Sequence, residues 1–219
     1  MLCRTRASRR FAAAALLLCA LATLSALAAP KPPLILVVGD SISAAYGLPA
    51  GSGWTTLLQK RLVAQRYPHR VVNASISGDT TATGRARLPT LLSEYRPAIT
   101  VIELGGNDGL RGGSIDAMKG NLDAMVAAAQ RAGSHALLVG IRMPPNYGPA
   151  YVRRFQETFG EVASKRKAAL VPFLFAGFAE DDAMFQADRV HPVAAAQPKL
   201  LDNVWPALEP HLSPKGASK

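Results

Sequence analysis

Five apolar residues in a row, Leu34-Ile-Leu-Val-Val, stop dead at Gly39-Asp-Ser41. A strand with one wet face alternates apolar and polar side chains. This run offers water neither face, so it needs cover on both sides, as a strand of a parallel sheet does. Similar short runs recur at Arg70-Val-Val-Asn73, Ile99 to Leu104, Ala136 to Ile141 and Leu170 to Phe173. Between them the apolar period changes to that of a helix: Trp54, Leu57, Leu58 and Leu62; then Leu88, Leu91, Leu92 and Tyr95. Ile115, Met118, Leu122 and Met125 follow, behind Ser114 as a cap, then Tyr151 to Lys167 and Pro192 to Leu208. Strand and helix in strict alternation predict an α/β fold, a five-stranded parallel sheet between two layers of helices. Pro172 puts the fifth strand at an edge.

The strand exits carry the chemistry. The first gives Asp40 and Ser41, and the second a loop of small hydroxyl residues, Ala74-Ser-Ile-Ser-Gly78-Asp-Thr-Thr. The third gives Gly105-Gly-Asn107-Asp-Gly109, and the fourth a long proline-rich loop, Arg142-Met-Pro-Pro-Asn-Tyr-Gly-Pro149. Each of these alone is an ordinary turn. A further polar segment, Asp188-Arg-Val-His191, sets a carboxylate and an imidazole three residues apart. Asp188 can then accept the Nδ1 proton and leave Nε2 free as a base. A helix starting at Pro192 would bring its positive end close to His191. His69, His135 and His211 have no such neighbour in sequence. Together the segments supply a nucleophile (Ser41), a base (His191), an orienter (Asp188) and oxyanion donors: the N–H groups of Ser41 and Gly78 and the side-chain amide of Asn107. The serine does not sit in a nucleophile elbow, since Gly39-Asp-Ser-Ile-Ser43 lacks the second glycine of Gly-x-Ser-x-Gly.

Residues 1–28 read as a secretory signal: Arg4, Arg6, Arg9 and Arg10, an apolar stretch from Phe11 to Leu27, and a small-x-small site at Ala26-Leu-Ala28. The folded domain is then 29–212, followed by a flexible tail, 213–219. The apolar stretch is short and alanine-rich for a membrane anchor. Losing those four arginines lowers the formal charge from +10 to +6. The remaining lysines and arginines are scattered among acids, which speaks against nucleic acid as a partner. Cys3 and Cys19 both lie in the leader, so the exported chain has no disulfide, thiolate metal site or cysteine nucleophile.

Gly39-Asp-Ser-Ile-Ser43, Asn73-Ala-Ser-Ile-Ser-Gly-Asp-Thr80, Glu103-Leu-Gly-Gly-Asn-Asp-Gly-Leu-Arg-Gly112 and Asp188-Arg-Val-His191 resemble, in order, the four blocks of the SGNH or GDSL hydrolases. The resemblance spans about residues 34 to 208. Ile42 stands where members of that family often have leucine. It implies a flavodoxin-like fold, Ser41, Asp188 and His191 as catalytic residues, Gly78 and Asn107 in the oxyanion hole, and no metal or organic cofactor. The second and third blocks and the Arg142–Gly148 loop are similar in particular to the periplasmic esterases and thioesterases of the family.

Leu110, Met143, Pro144 and Tyr147 offer apolar walls with few hydrogen-bond donors, which suits an alkyl chain. Gly109, Gly112 and Gly113 would let the Leu110 loop close over it. The expected activity is hydrolysis of esters and thioesters of medium to long acyl chains, by a periplasmic or secreted monomer acting on small molecules. The alternatives are a carbohydrate O-acetylesterase with the same triad and a binding protein without turnover.

Overall fold

The computed structural model describes residues 31–213. The expected leader, and the tail beyond Ser213, lie outside the described residues. Strands β1 (Leu34–Gly39), β2 (Arg70–Asn73), β3 (Ile99–Glu103), β4 (His135–Val139) and β5 (Ala169–Val171) form one sheet in the order β2-β1-β3-β4-β5, every pair parallel. Around it lie α1 (Trp54–Ala64), α2 (Thr81–Tyr95), α3 (Gly106–Leu110), α4 (Ile115–Arg131), α5 (Pro149–Arg166) and α6 (Gln197–Leu208). This is the expected five-stranded parallel α/β architecture, and β5 is an edge strand as Pro172 implied.

The unbroken apolar run of β1 is explained by its two neighbours in space. Leu36 and Val38 point into a core with Leu88, Leu122, Met125, Phe155 and Phe159 from α2, α4 and α5. Ile35 and Val37 point the other way, against Trp54, Leu58, Leu62, Leu200 and Val204 from α1 and α6. Because successive side chains of a strand alternate faces, both sets must be apolar, and the run loses its alternation.

Three expectations differ by more than two residues or in kind. Helix α2 starts at Thr81, seven residues before the first leucine of its apolar stripe. Its signal is a capping box: Thr80 Oγ1 accepts from Thr83 N, and Thr83 Oγ1 from Thr80 N. Gly84, which reads as a helix breaker, is there because α2 packs on Leu104, just past the end of β3; a Cβ on it would come within 2.2 Å of Leu104 Cδ1. The glycine-rich exit of β3 is a short helix, α3, and not an open turn. The last helix begins at Gln197, after a 3₁₀ turn at Ala194–Ala196, and not at Pro192. Pro192 instead forms an antiparallel bridge with Phe185. The expected positive helix end beside His191 is therefore absent.

Candidate active site

With β1 flanked by β2 on one side and β3 on the other, the chain changes direction across the sheet at β1. The crevice outside the carboxyl ends of strands at such a switch point is where open α/β sheets bind ligands. Ser41 leaves the end of β1, Gly78 follows β2, and Asn107 lies in α3 after β3. All three line one cavity of about 710 Å³. His191 reaches it from the segment between β5 and α6. Its strap is fixed by the Phe185–Pro192 bridge, by Gln186 N donating to His191 O (2.8 Å), and by Gln186 Nε2 donating to Tyr46 O (2.9 Å).

The result is a hydrogen-bonded line. Ser41 Oγ lies 2.8 Å from His191 Nε2, and His191 Nδ1 lies 2.7 Å from Asp188 Oδ2. Asp188 Oδ1 accepts from the backbone N–H of Val190 (2.9 Å) and of His191 (3.0 Å), so the turn holds its own carboxylate. Partial burial pushes the Asp188 carboxyl up, but hydrogen bonds from His191, backbone and ring, and from Val190 outweigh it and bring it down to about 2. An ionised Asp188 fixes the proton on Nδ1 and leaves Nε2 to accept from Ser41. Arg189 takes a left-handed conformation (φ 55°) to close this turn. Tyr46 packs on the imidazole, with ring centroids 4.7 Å apart.

Around Asn107 and Gly78 the rim is held by a lattice of side chains. Asn107 Nδ2 donates to Asp79 O (3.0 Å) and to Asp40 Oδ2 (3.2 Å). Arg87 binds Asp79 (2.7 Å), Ala74 O (2.5 Å) and Gly39 O (3.5 Å), which clamps the exits of β1 and β2 together. Asp108 accepts from Thr81 N (2.8 Å) and Thr81 Oγ1 (2.5 Å), joining α3 to the start of α2. Gly78, at φ 85°, lies where only glycine is relaxed.

The cavity has two apolar walls. Leu110, Met143 and Pro144 line it. Tyr147 does not; it stands behind the wall and donates to Leu110 O (3.0 Å). Tyr151 adds contacts to Gly109 O (3.3 Å) and Gly113 O (3.4 Å), so the loop expected to close is tied to α5. Gly109 is required by packing, because a Cβ there would lie 2.3 Å from Met143 Sδ. The second wall, Phe173, Phe175 and Phe185, was not singled out in the sequence. These rings sit in the irregular stretch after β5, where no period marks a face. Arg142 at the rim stacks on Phe173, 4.2 Å from its ring centroid. Asp40 and Glu103, both nearly inaccessible at 2% and 0%, were also missed. Glu103 had a signal: it is a charged residue in a strand whose neighbours predict burial on both faces. No group of side chains that could hold a metal ion occurs among the described residues.

A serine, histidine and aspartate in line at the switch point of a 2-1-3-4-5 parallel sheet define a serine hydrolase of the SGNH type. The chain belongs to the GDSL-like Lipase/Acylhydrolase family, whose profile it matches over residues 37–197. It is 57% identical over 178 residues to the esterase TesA of Pseudomonas aeruginosa, covering 81% of this chain and 89% of that protein. It is 37% identical over 176 residues to the thioesterase 1/protease 1/lysophospholipase L1 of Escherichia coli, covering 80% and 83%. A crystal structure of TesA superposes with a TM-score of 0.80 at 56% identity, covering 82% of this chain and 99% of that one.

Proposed function

We infer that the protein is an exported serine esterase that cleaves carboxylic esters and thioesters of single acyl chains of medium length or longer. The observation that carries this reading is the hydrogen-bonded line from Asp188 through His191 to Ser41 at the mouth of a cavity with two apolar walls. Ser41 Oγ attacks the acyl carbonyl while its proton passes to His191 Nε2, and Asp188 stabilises the imidazolium that forms. The carbonyl oxygen becomes an oxyanion beside the N–H groups of Ser41 and Gly78 and the Asn107 amide. Collapse expels the alcohol or thiol, which takes the proton from His191. Water, deprotonated by His191, then cleaves the acyl-serine ester and restores Ser41. The chemistry needs no metal or organic cofactor.

Chain-length preference follows from the walls. Each methylene withdrawn from water contributes up to about 0.8 kcal/mol. A groove holding four of them raises kcat/KM by roughly 10² where the contact persists in the transition state. No helix among the described residues is long and apolar enough to cross a membrane. Export with cleavage near Ala28/Ala29 rests on the basic start and apolar stretch of the sequence.

The test is one panel with the purified mature protein: p-nitrophenyl esters from acetyl to palmitoyl, an acyl-CoA, a lysophospholipid and an acetylated xylan. Rates rising beyond acetyl support the acyl groove. A maximum at acetyl, or activity on the xylan alone, replaces it with the carbohydrate esterase.

A further inference from the structure

Beneath the nucleophile turn lie two carboxyl groups that the acyl-transfer steps do not use. Asp40 precedes Ser41, and its Oδ1 accepts from Ile42 N (3.0 Å) while its Oδ2 accepts from Asn107 Nδ2 (3.2 Å). Glu103 ends β3, paired in register with Gly39, and is fully buried. Its Oε2 accepts from Ser43 Oγ (2.7 Å), which in turn accepts from Trp54 Nε1 (3.2 Å). Glu103 Oε1 has no hydrogen-bond partner among the described residues. Space here is tight: a Cβ on Gly39 would lie 2.7 Å from Glu103 Oε2, and one on Gly106 would lie 3.3 Å from Asp40 Oδ2.

A primary amide has two ends of nearly equal shape, one donating and one accepting. Which end of Asn107 faces the hole is therefore decided by its partners and not by sterics. Two acceptors, Asp79 O and Asp40 Oδ2, select the NH₂ end. Asp79 O is a backbone atom and cannot be altered by substitution at that position; Asp40 is the side chain that makes the selection. We propose that Asp40 is a positioning residue of the oxyanion hole, keeping the Asn107 amide turned donor end inward over a floor formed by Glu103. Both Asn107 hydrogens are engaged in the structure, so the oxyanion shares the hydrogen of the longer bond, the one to Asp40. Burial, with the charge of Asp40 added, pushes the Glu103 carboxyl well up, only partly opposed by the hydrogen bond from Ser43. This shift favours the protonated form of Glu103, and with it the placing of the pair's charge on Asp40.

The inference rests on the reading of Asn107 as an oxyanion donor, and a double-mutant cycle separates the two. Asp40→Asn keeps the shape of the side chain but offers only one acceptor for two donors, so the Asn107 amide loses its selection. With a p-nitrophenyl ester of fixed chain length, Asn107→Ala should lower kcat by roughly 10² to 10³, the effect of one oxyanion donor. Asp40→Asn should lower kcat by about 10², with KM within about threefold. In the Asn107→Ala background the same substitution should cost less than about threefold, because residues acting through one another are not additive. Asp40→Ala, which inserts no donor, provides a second cycle with the same expected non-additivity should the asparagine variant not fold. Full activity in Asn107→Ala would remove the oxyanion role and the inference with it. A slow Asn107→Ala combined with equal losses from Asp40→Asn in both backgrounds, or no loss at all, would overturn the inference alone.

Discussion

Asp40 carries its charge at a position 2% exposed, and that has a measurable cost. Burial pushes its carboxyl up from 3.8 to about 6, against the pull of the Ile42 N–H, the His191 charge and the Asn107 amide. A carboxyl with a raised folded value favours the folded state most below the unfolded value. That contribution is lost as pH rises from about 3.8 through about 6. At neutral pH the penalty is on the order of 1–3 kcal/mol. Asparagine at this position carries no charge to desolvate. The melting temperature of Asp40→Asn should therefore gain on that of the natural protein between pH 4 and pH 7, even as activity falls, a trade seen where function retains strained or costly groups. Differential scanning calorimetry at the two pH values checks it, and a difference independent of pH would contradict the charged Asp40. Glu103→Gln supplies the complementary case: an amide replaces a carboxyl whose neutral form burial favours, so kcat should stay within a few-fold and rates measured at pH 7 would expose any need for a charge there. Ser41, Asp188 and His191 were legible at this scale because acyl transfer demands those residue types. Asp40 and Glu103 were not, because what matters about them is burial, and burial is a property of neighbours remote in sequence.

Among the elements, the rim is a set of strand exits tied to one another more than to the sheet. Arg87, on α2, holds the exits of β1 and β2 through Gly39 O, Ala74 O and Asp79. Its guanidinium and the Asp79 carboxylate are both largely buried, with side-chain exposures of 21% and 10%. Removing one member of such a pair leaves the other without compensation. Arg87→Ala should cost roughly 2–4 kcal/mol in urea unfolding at neutral pH. It should also lower kcat, because Asp79 O is one of the two acceptors that hold Asn107. A variant with unchanged stability and rate would mean that the rim does not depend on this clamp. The strands were readable from their apolar runs and α4 from its periodic stripe behind Ser114. The start of α2 was not, since Thr81-Ala-Thr-Gly84 owes its helix to the Thr80 capping box and to the packing of Gly84 on Leu104. The start of α6 was misplaced because Pro192, a good first helical residue, is used here in a bridge that carries His191 to Ser41.

Over the whole molecule, the parallel sheet brings together residues 150 positions apart, Ser41 and His191, at the one place where its strand order reverses. That convergence follows from topology, so the pattern of strands and helices already implied where a site would lie. What the pattern could not give was the shape of the cavity, in particular the wall of Phe173, Phe175 and Phe185. Phe175→Ala should leave the rate on an acetyl ester within a few-fold while lowering kcat/KM on an octanoyl ester by about tenfold, roughly 1.4 kcal/mol of lost apolar contact. Equal losses on both esters would place that ring outside the acyl groove. The serine mechanism itself is tested most directly by the intact mass of the mature protein after reaction with a p-nitrophenyl alkylphosphonate, followed by peptide mapping. One phosphonyl group per chain, located on Ser41 and greatly slowed in His191→Ala, is the expected result; an unmodified chain, or an adduct elsewhere with Ser41 free, would contradict it.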